Sequence, residues 1–217
     1  MYPRCIIFDL DGTLLDTLAD LADSMNAALK KHGFAEHPLD SYRYFVGDGM
    51  DVLAQRVLPE SDRSPVNIQM LVAEMKVEYR ARRFEKTRPY DGICEALEKL
   101  NSTGVSLAVL SNKNNDFTNE IVCHYFGSNT FRIVLGAGIF AKKPDPAGVL
   151  HILSTFQSKP SECLFVGDTG TDMKTARAAR VYAAGVLWGF REKQELITNG
   201  ADILISQPKE ILELFKS

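Results

Sequence analysis

The stretch "IIFDLDGTLLDT", Ile6 to Thr17, runs apolar residues straight into three acids, Asp9, Asp11 and Asp16. A short apolar run of this kind predicts a strand covered on both faces of a sheet. Carboxylates at the end of such a strand lose hydration, so donors or a cation must meet them there. Candidates for that role lie far along the chain.

Working outward, residues 18–29 turn helical, with Leu18, Leu21, Ala22, Met25 and Leu29 on one face. Thr17 and Asp20 form a candidate capping box, and Gly33 follows the last turn. A short helix is expected over 50–57. A longer one follows Pro65, with Ile68, Leu71, Val72, Met75 and Tyr79 as its buried stripe. Residues 16–85 therefore read as wholly helical. Beyond "TRPYDG" the texture changes to short apolar runs, "VSLAVLS" (105–111), "RIVLGA" (132–137), "CLFVGD" (163–168), "AAGVLWG" (183–189) and "ADILIS" (201–206). Helical stretches at 91–101, 115–126, 145–157, 171–180 and 192–199 separate them. That alternation predicts an α/β fold, a Rossmann-like parallel sheet with helices on both faces. The expected division is a core of residues 1–15 and 86–217, with residues 16–85 inserted after the first strand as an all-helical cap. The two crossings, near 14–17 and 82–89, are candidate hinges.

Composition narrows the class. The chain has 217 residues, 45% of them hydrophobic and 24% charged, with a net charge of −3. Those are ordinary globular values, and the acidic balance argues against a nucleic-acid partner. The locally basic segment 76–88 reads as a solvated helix face. Cys5, Cys94, Cys123 and Cys163 show no CxxC spacing and are expected to be buried thiols in a reducing compartment. No run reaches membrane-spanning length and no signal-peptide pattern opens the chain, so a cytoplasmic protein without membrane contact is expected.

Ligands of open α/β sheets gather beyond the carboxyl ends of the strands. The first predicted strand leads into Asp9-Leu10-Asp11-Gly12-Thr13. Another ends in Ser111-Asn112-Lys113, one is followed by Lys142-Lys143-Pro144, and one ends in Gly167-Asp168 with Asp172 a helical turn on. Asp9, Asp11 and Asp168 would repel one another without a cation, and hard oxygen donors suit Mg²⁺. Gly12 permits the chain to depart sharply from the strand, and one solution has Asp9 ligate through its carboxylate and Asp11 through its backbone carbonyl. The Asp11 side chain is then free for proton transfer. Ser111, Asn112 and Lys143 form a phosphate site by hydroxyl, amide and ammonium. Asp9 is the candidate nucleophile toward phosphorus, giving an aspartyl-phosphate.

These residues resemble the four motifs of the haloacid dehalogenase-like phosphohydrolase superfamily. "DLDGTLLDT" resembles motif one, with Asp9 as nucleophile and Asp11 as general acid/base. "LSNK" resembles motif two through Ser111, and "KKPDP" resembles the K-P-x-P form of motif three through Lys143. "VGDTGTDM" resembles motif four, with Asp168 a metal ligand and Asp172 supporting the metal's waters. The resemblance implies a Mg²⁺-dependent hydrolase of a small phosphomonoester. "SNK", "RPYDG" and "KPDP" are most similar to the phosphoglycolate phosphatase branch with its helical cap. Alternatives are a sugar phosphomutase resembling β-phosphoglucomutase and a non-catalytic phospho-acceptor module resembling response-regulator receivers. Within the cap, Arg43 and Gly47, with Lys113 of the core, are candidates for substrate specificity. A monomer or homodimer is expected.

Overall fold

The computed structural model describes residues 3–214. In chain order its strands and helices are β1 (Cys5–Phe8), β2 (Leu15–Asp16), α1 (Leu18–Lys31), α2 (Leu39–Phe45), α3 (Met50–Val57) and α4 (Pro65–Arg82). There follow β3 (Arg88–Pro89), α5 (Ile93–Ser102), β4 (Ser106–Asn114), α6 (Asn115–Phe126), β5 (Ile133–Ala137) and α7 (Ala147–Phe156). The chain continues with β6 (Cys163–Gly167), α8 (Gly170–Ala179), β7 (Tyr182–Val186), α9 (Lys193–Thr198), β8 (Ile203–Ile205) and α10 (Glu210–Glu213). None of the helices is long and apolar enough to cross a membrane.

Six strands form one parallel sheet in the order β5-β4-β1-β6-β7-β8. Every residue of β1 is buried, as its unbroken apolar run demands. Its side chains alternate between two cores. Ile6 and Phe8 join Leu107, Val109, Leu164 and Val166 on one face, which is continuous with the interior of α1–α4. Cys5 and Ile7 join Ala108, Phe165 and residues of α7 and α8 on the other. After β4 the chain moves outward to β5, then crosses back to β6 on the far side of β1. The direction of winding therefore reverses at β1, and the carboxyl ends of β4, β1 and β6 border the resulting crevice.

The expected α/β architecture stands, with local corrections. The stretch 16–85 is not free of strand: β2 and β3 pair antiparallel, Leu15 with Pro89 and Asp16 with Arg88. The chain thus leaves for the helices and returns along a two-stranded ribbon. Thr17 makes no side-chain cap bond. Asp20, fully buried, instead accepts from the backbone N–H of Lys86 at 2.9 and 3.1 Å and of Thr87 at 2.8 Å. A buried carboxylate gains more from stray backbone donors of the returning chain than from a neighbouring helix turn. β4 runs to Asn114, past the expected 111, with a break in register between Leu110 and Asn114. Cys5 and Cys163 are buried, but Cys94 and Cys123 are exposed, lying on the outer faces of α5 and α6.

Replacing Asp20 by Ala leaves two N–H groups of the returning chain without an acceptor. The expected loss in urea unfolding is about 2–3 kcal/mol. Asn, which keeps one carbonyl oxygen, should lose less.

Candidate active site

The turn after β1 is wound about one carbonyl. Leu10 O accepts from Thr13 at 3.3 Å, Leu14 at 3.0 Å and Leu15 at 3.1 Å, while Gly12 N donates to Leu15 O at 2.9 Å. Gly12 has φ 86°, and a Cβ there would lie 2.3 Å from Asp168 Oδ2. Only glycine allows both the left-handed turn and that approach. The ladder between β1 and β6 continues one step beyond the strands, through Asp9 N to Val166 O at 2.9 Å. Asp9 and Asp168 are thereby set side by side.

Asp9, Asp168 and Asp172 are all buried, and each brings an oxygen within 4.8 Å of the others. Lys143 Nζ stands 2.8 Å from Asp9 Oδ1 and 2.6 Å from Asp172 Oδ1. The other Asp172 oxygen accepts from Thr169 N at 3.0 Å and Thr169 Oγ1 at 2.7 Å. Asp168 accepts from Thr13 Oγ1 at 3.2 Å and Phe190 N at 2.8 Å. Burial pushes the Asp9 carboxyl well above its ordinary range, the charge of Asp172 adds to this, and Lys143 opposes it. Asp168 is raised to about 7, again by burial first and then by Asp172. Burial alone would lower Lys143, but the carboxylates of Asp172 and Asp9 outweigh it and hold the ammonium charged. Three clustered carboxylates against one ammonium leave negative charge that a divalent cation would balance. With Asp172 committed to Lys143 and Thr169, Asp9 and Asp168 are the side chains fitted to ligate it.

Ser111, Asn112 and Lys113 sit where β4 breaks register, and all three are buried. The Asn112 amide is spent on the backbone of Lys143, accepting from Lys143 N at 2.8 Å and donating to Lys143 O at 3.1 Å. Its visible role is to place that lysine, rather than to offer its amide to a phosphate. Lys113, expected free for a substrate, is held by Asp11 at 2.6 and 2.8 Å with its Nζ 4.8 Å from the Tyr79 ring centre. Burial pushes the Tyr79 hydroxyl up to about 12.

A cavity of about 40 Å³ lies between these groups and the helical segment. Asp9, Asp11, Ser111, Asn112 and Lys113 form its polar floor, and Leu21, Val46, Met50 and Leu53 its apolar roof. Gly47 and Gly49 complete the wall, and Gly47 O accepts from Asn112 Nδ2 at 3.3 Å. Arg43 is not on that wall. It projects from the exposed side of α2, reaching Gly189 O at 3.4 Å and Asp40 at 3.9 Å. Three contributors escaped the sequence reading: the Thr13 hydroxyl, Phe190 N and the apolar roof. The signal for the second was "WGF" after β7, since a Cβ on Gly189 would lie 2.2 Å from Asp168 Cβ.

Residues 6–186 match the family model of the haloacid dehalogenase-like hydrolases. The chain belongs to that family. It is 32% identical over 212 residues to a phosphoglycolate phosphatase of Aquifex aeolicus (strain VF5), covering 97% of this chain and 96% of the relative. It is 33% identical over 219 residues to a phosphoglycolate phosphatase of Nitrosospira multiformis, covering 98% and 96%. Among solved structures, a predicted phosphoglycolate phosphatase from Haemophilus somnus 129PT superposes with a TM-score of 0.92 at 27% identity, over 99% of this chain and 98% of that one. Like other haloacid dehalogenase-like hydrolases, this chain is an enzyme whose candidate groups lie at adjoining strand ends.

The raised Asp9 and Asp168 carboxyls carry a stability consequence with a definite sign. A group whose pKa is higher folded than unfolded contributes stability below the unfolded value, and that contribution is lost as pH rises through the folded value. In EDTA, thermal stability should therefore fall between about pH 4 and about pH 7. Added Mg²⁺ should raise the melting temperature more at pH 7.5 than at pH 5, and Asp168→Asn should remove most of that difference.

Proposed function

We propose that this hydrolase cleaves a small phosphomonoester, phosphoglycolate being the first candidate, by way of an aspartyl-phosphate on Asp9. The observation that carries the reading is the placing of Asp9, Asp11 and Ser111 on the floor of one small cavity, with Lys143 2.8 Å from Asp9. A polar floor under an apolar roof suits the phosphoryl end and the short carbon end of a small phosphate ester. The names carried by the Aquifex and Nitrosospira relatives point to the same class.

In this reading residues 1–15 and 86–217 are the catalytic core and residues 16–85 a cap that closes over the substrate and keeps water out. Asp9 and Asp168, with the backbone carbonyl of Asp11, would hold Mg²⁺, which supplies charge neutralisation and Lewis acidity toward a phosphoryl oxygen. Asp172 fixes Lys143, and Lys143 with the Ser111 hydroxyl draws charge from the equatorial oxygens. An Asp9 carboxylate oxygen forms a bond to phosphorus as the ester P–O bond breaks, and Asp11 gives its proton to the departing alkoxide. Asp11 then takes a proton from the water that attacks phosphorus, which frees Asp9 and inorganic phosphate. Lys113 turns from Asp11 toward the distal carboxylate of the substrate.

The test is release of inorganic phosphate from phosphoglycolate and a panel of small phosphomonoesters, in Mg²⁺ and in EDTA. Turnover is expected only with the metal, and none on any member would overturn the proposal. Asp9→Asn should lower kcat by about 10³-fold or more and form no phosphoenzyme. Asp11→Ala should lose about 10²–10⁴-fold and accumulate it. Equal phosphoenzyme in both variants would refute the division of roles.

A further inference from the structure

A second cavity, of about 440 Å³, lies on the other side of the Gly47 turn, between the helical segment and the core. Gly47 lines both cavities, so one turn of chain separates them. The charged groups of the second cavity are Asp48 and Arg56 from the helical segment, and Lys174, Arg191 and Glu195 from the core.

Both carboxylates there are already committed. Asp48 pairs with Arg56 at 2.5 Å and accepts from Thr171 Oγ1 at 2.9 Å. Glu195 accepts from Gly170 N at 2.9 Å and lies 3.4 Å from Arg191 Nε. Of the cations, Arg56 is spent on Asp48 and on Phe45 O at 3.0 Å, whereas Lys174 and Arg191 are not used up in the same way. Lys174 is exposed and makes no ion pair among the described residues. The Arg191 side chain is only 8% exposed, yet its Nη1 has no acceptor, although Nη2 donates to Val46 O at 2.8 Å. A buried guanidinium with an idle donor is costly, and an oxyanion is the partner its fork fits. Nothing in the proposed reaction uses either residue.

We propose that this seam cavity, walled by Arg191, Lys174 and Arg56, binds a small oxyanion of the inorganic phosphate class at a site distinct from the catalytic cavity. Its occupant would lie between two cations of the core and the Asp48–Arg56 pair of the helical segment. It also leans on the turn that walls the catalytic cavity. The inference stands on the geometry of this cavity and is independent of which ester the enzyme hydrolyses.

The probe is inorganic phosphate, titrated into the intact protein in EDTA in a buffer of weakly coordinating anions. Calorimetry reads stoichiometry, and the fluorescence of Trp188, the sole tryptophan, reads the loop that carries Arg191. Two phosphate sites are expected in the wild type, or a single one if the catalytic cavity takes none without metal. Lys174→Ala, an exposed change that leaves the fold alone, should weaken the seam site about threefold or more. Arg191→Gln should weaken it about tenfold or more, and Arg191→Lys should recover only part of that, because the ammonium lacks the fork. Lys143→Met should leave the seam site in place while removing any catalytic-cavity binding. Phosphate binding that is lost in Lys143→Met and unmoved in both Lys174→Ala and Arg191→Gln would overturn the proposal, as would no binding at all.

Discussion

Everything at the sheet edge depends on where Lys143 puts its charge. Two buried carboxylates, Asp9 and Asp172, share it at 2.8 and 2.6 Å, and a third, Asp168, stands beside them with only neutral donors. Removing one member of such a group strands the others, which is why the rest of the site is built to hold that lysine still. Asn112 grips the Lys143 backbone through both ends of its amide, and Thr169 fixes the oxygen of Asp172 that Lys143 does not use. Specific placement of one ammonium therefore draws on β4, the loop after β5 and the first turn of α8 together.

The same edge has a second constraint, the close approach of backbone to carboxylate at Asp168. Gly12 and Gly189 come in from either side, and a methyl group on either would collide with Asp168. The helical segment is fastened nearby by contacts of a different kind. Asp20 takes three hydrogen bonds from the returning chain, Arg191 holds Val46 O, Asn112 holds Gly47 O and Lys142 pairs with Asp51 at 2.9 Å. The first is formed by a fully buried carboxylate at the root of the segment. The others cross the seam and are partly exposed, so they can exchange with water at small cost. Buried bonds at the root and partly exposed ones along the seam mean that, on the proposed reading of this segment as a cap, the seam would yield before the root does.

How far the sequence could be read follows from how local each signal is. The buried strands announced themselves as apolar runs, and the four polar strand ends could be placed because the sheet is parallel and its ends converge. β2 and β3, two residues each, carry no periodicity at all; their pairing exists only because the ribbon closes. Asp20 sits three residues after Thr17 and satisfies the pattern of a capping box, but the donors that claimed it lie 66 and 67 residues away. Lys113 and Arg43 looked alike as unassigned cations. Tertiary structure separates them, since one is buried against Asp11 and the other turns outward to Asp40 and Gly189. A main-chain donor such as Phe190 N shows in the sequence only through the glycine before it, Gly189, which allows the close approach to Asp168.

The pairing of Lys113 with Asp11 bears on how two aspartates two residues apart can differ in use. Asp9 sits with Lys143 among other carboxylates under burial that disfavours its charge, and it needs a further cation to remain ionised. Asp11, on the same cavity floor, has an ammonium of its own, 2.6 Å away and free of other carboxylates. That neighbour is not fixed as Lys143 is, for its remaining contact is with the face of Tyr79. In the proposed reaction a substrate carboxylate entering the cavity would compete with Asp11 for Lys113. An ester lacking the distal anion would leave the Lys113–Asp11 ion pair intact, so discrimination in the proposed reaction would rest on the lysine that holds Asp11.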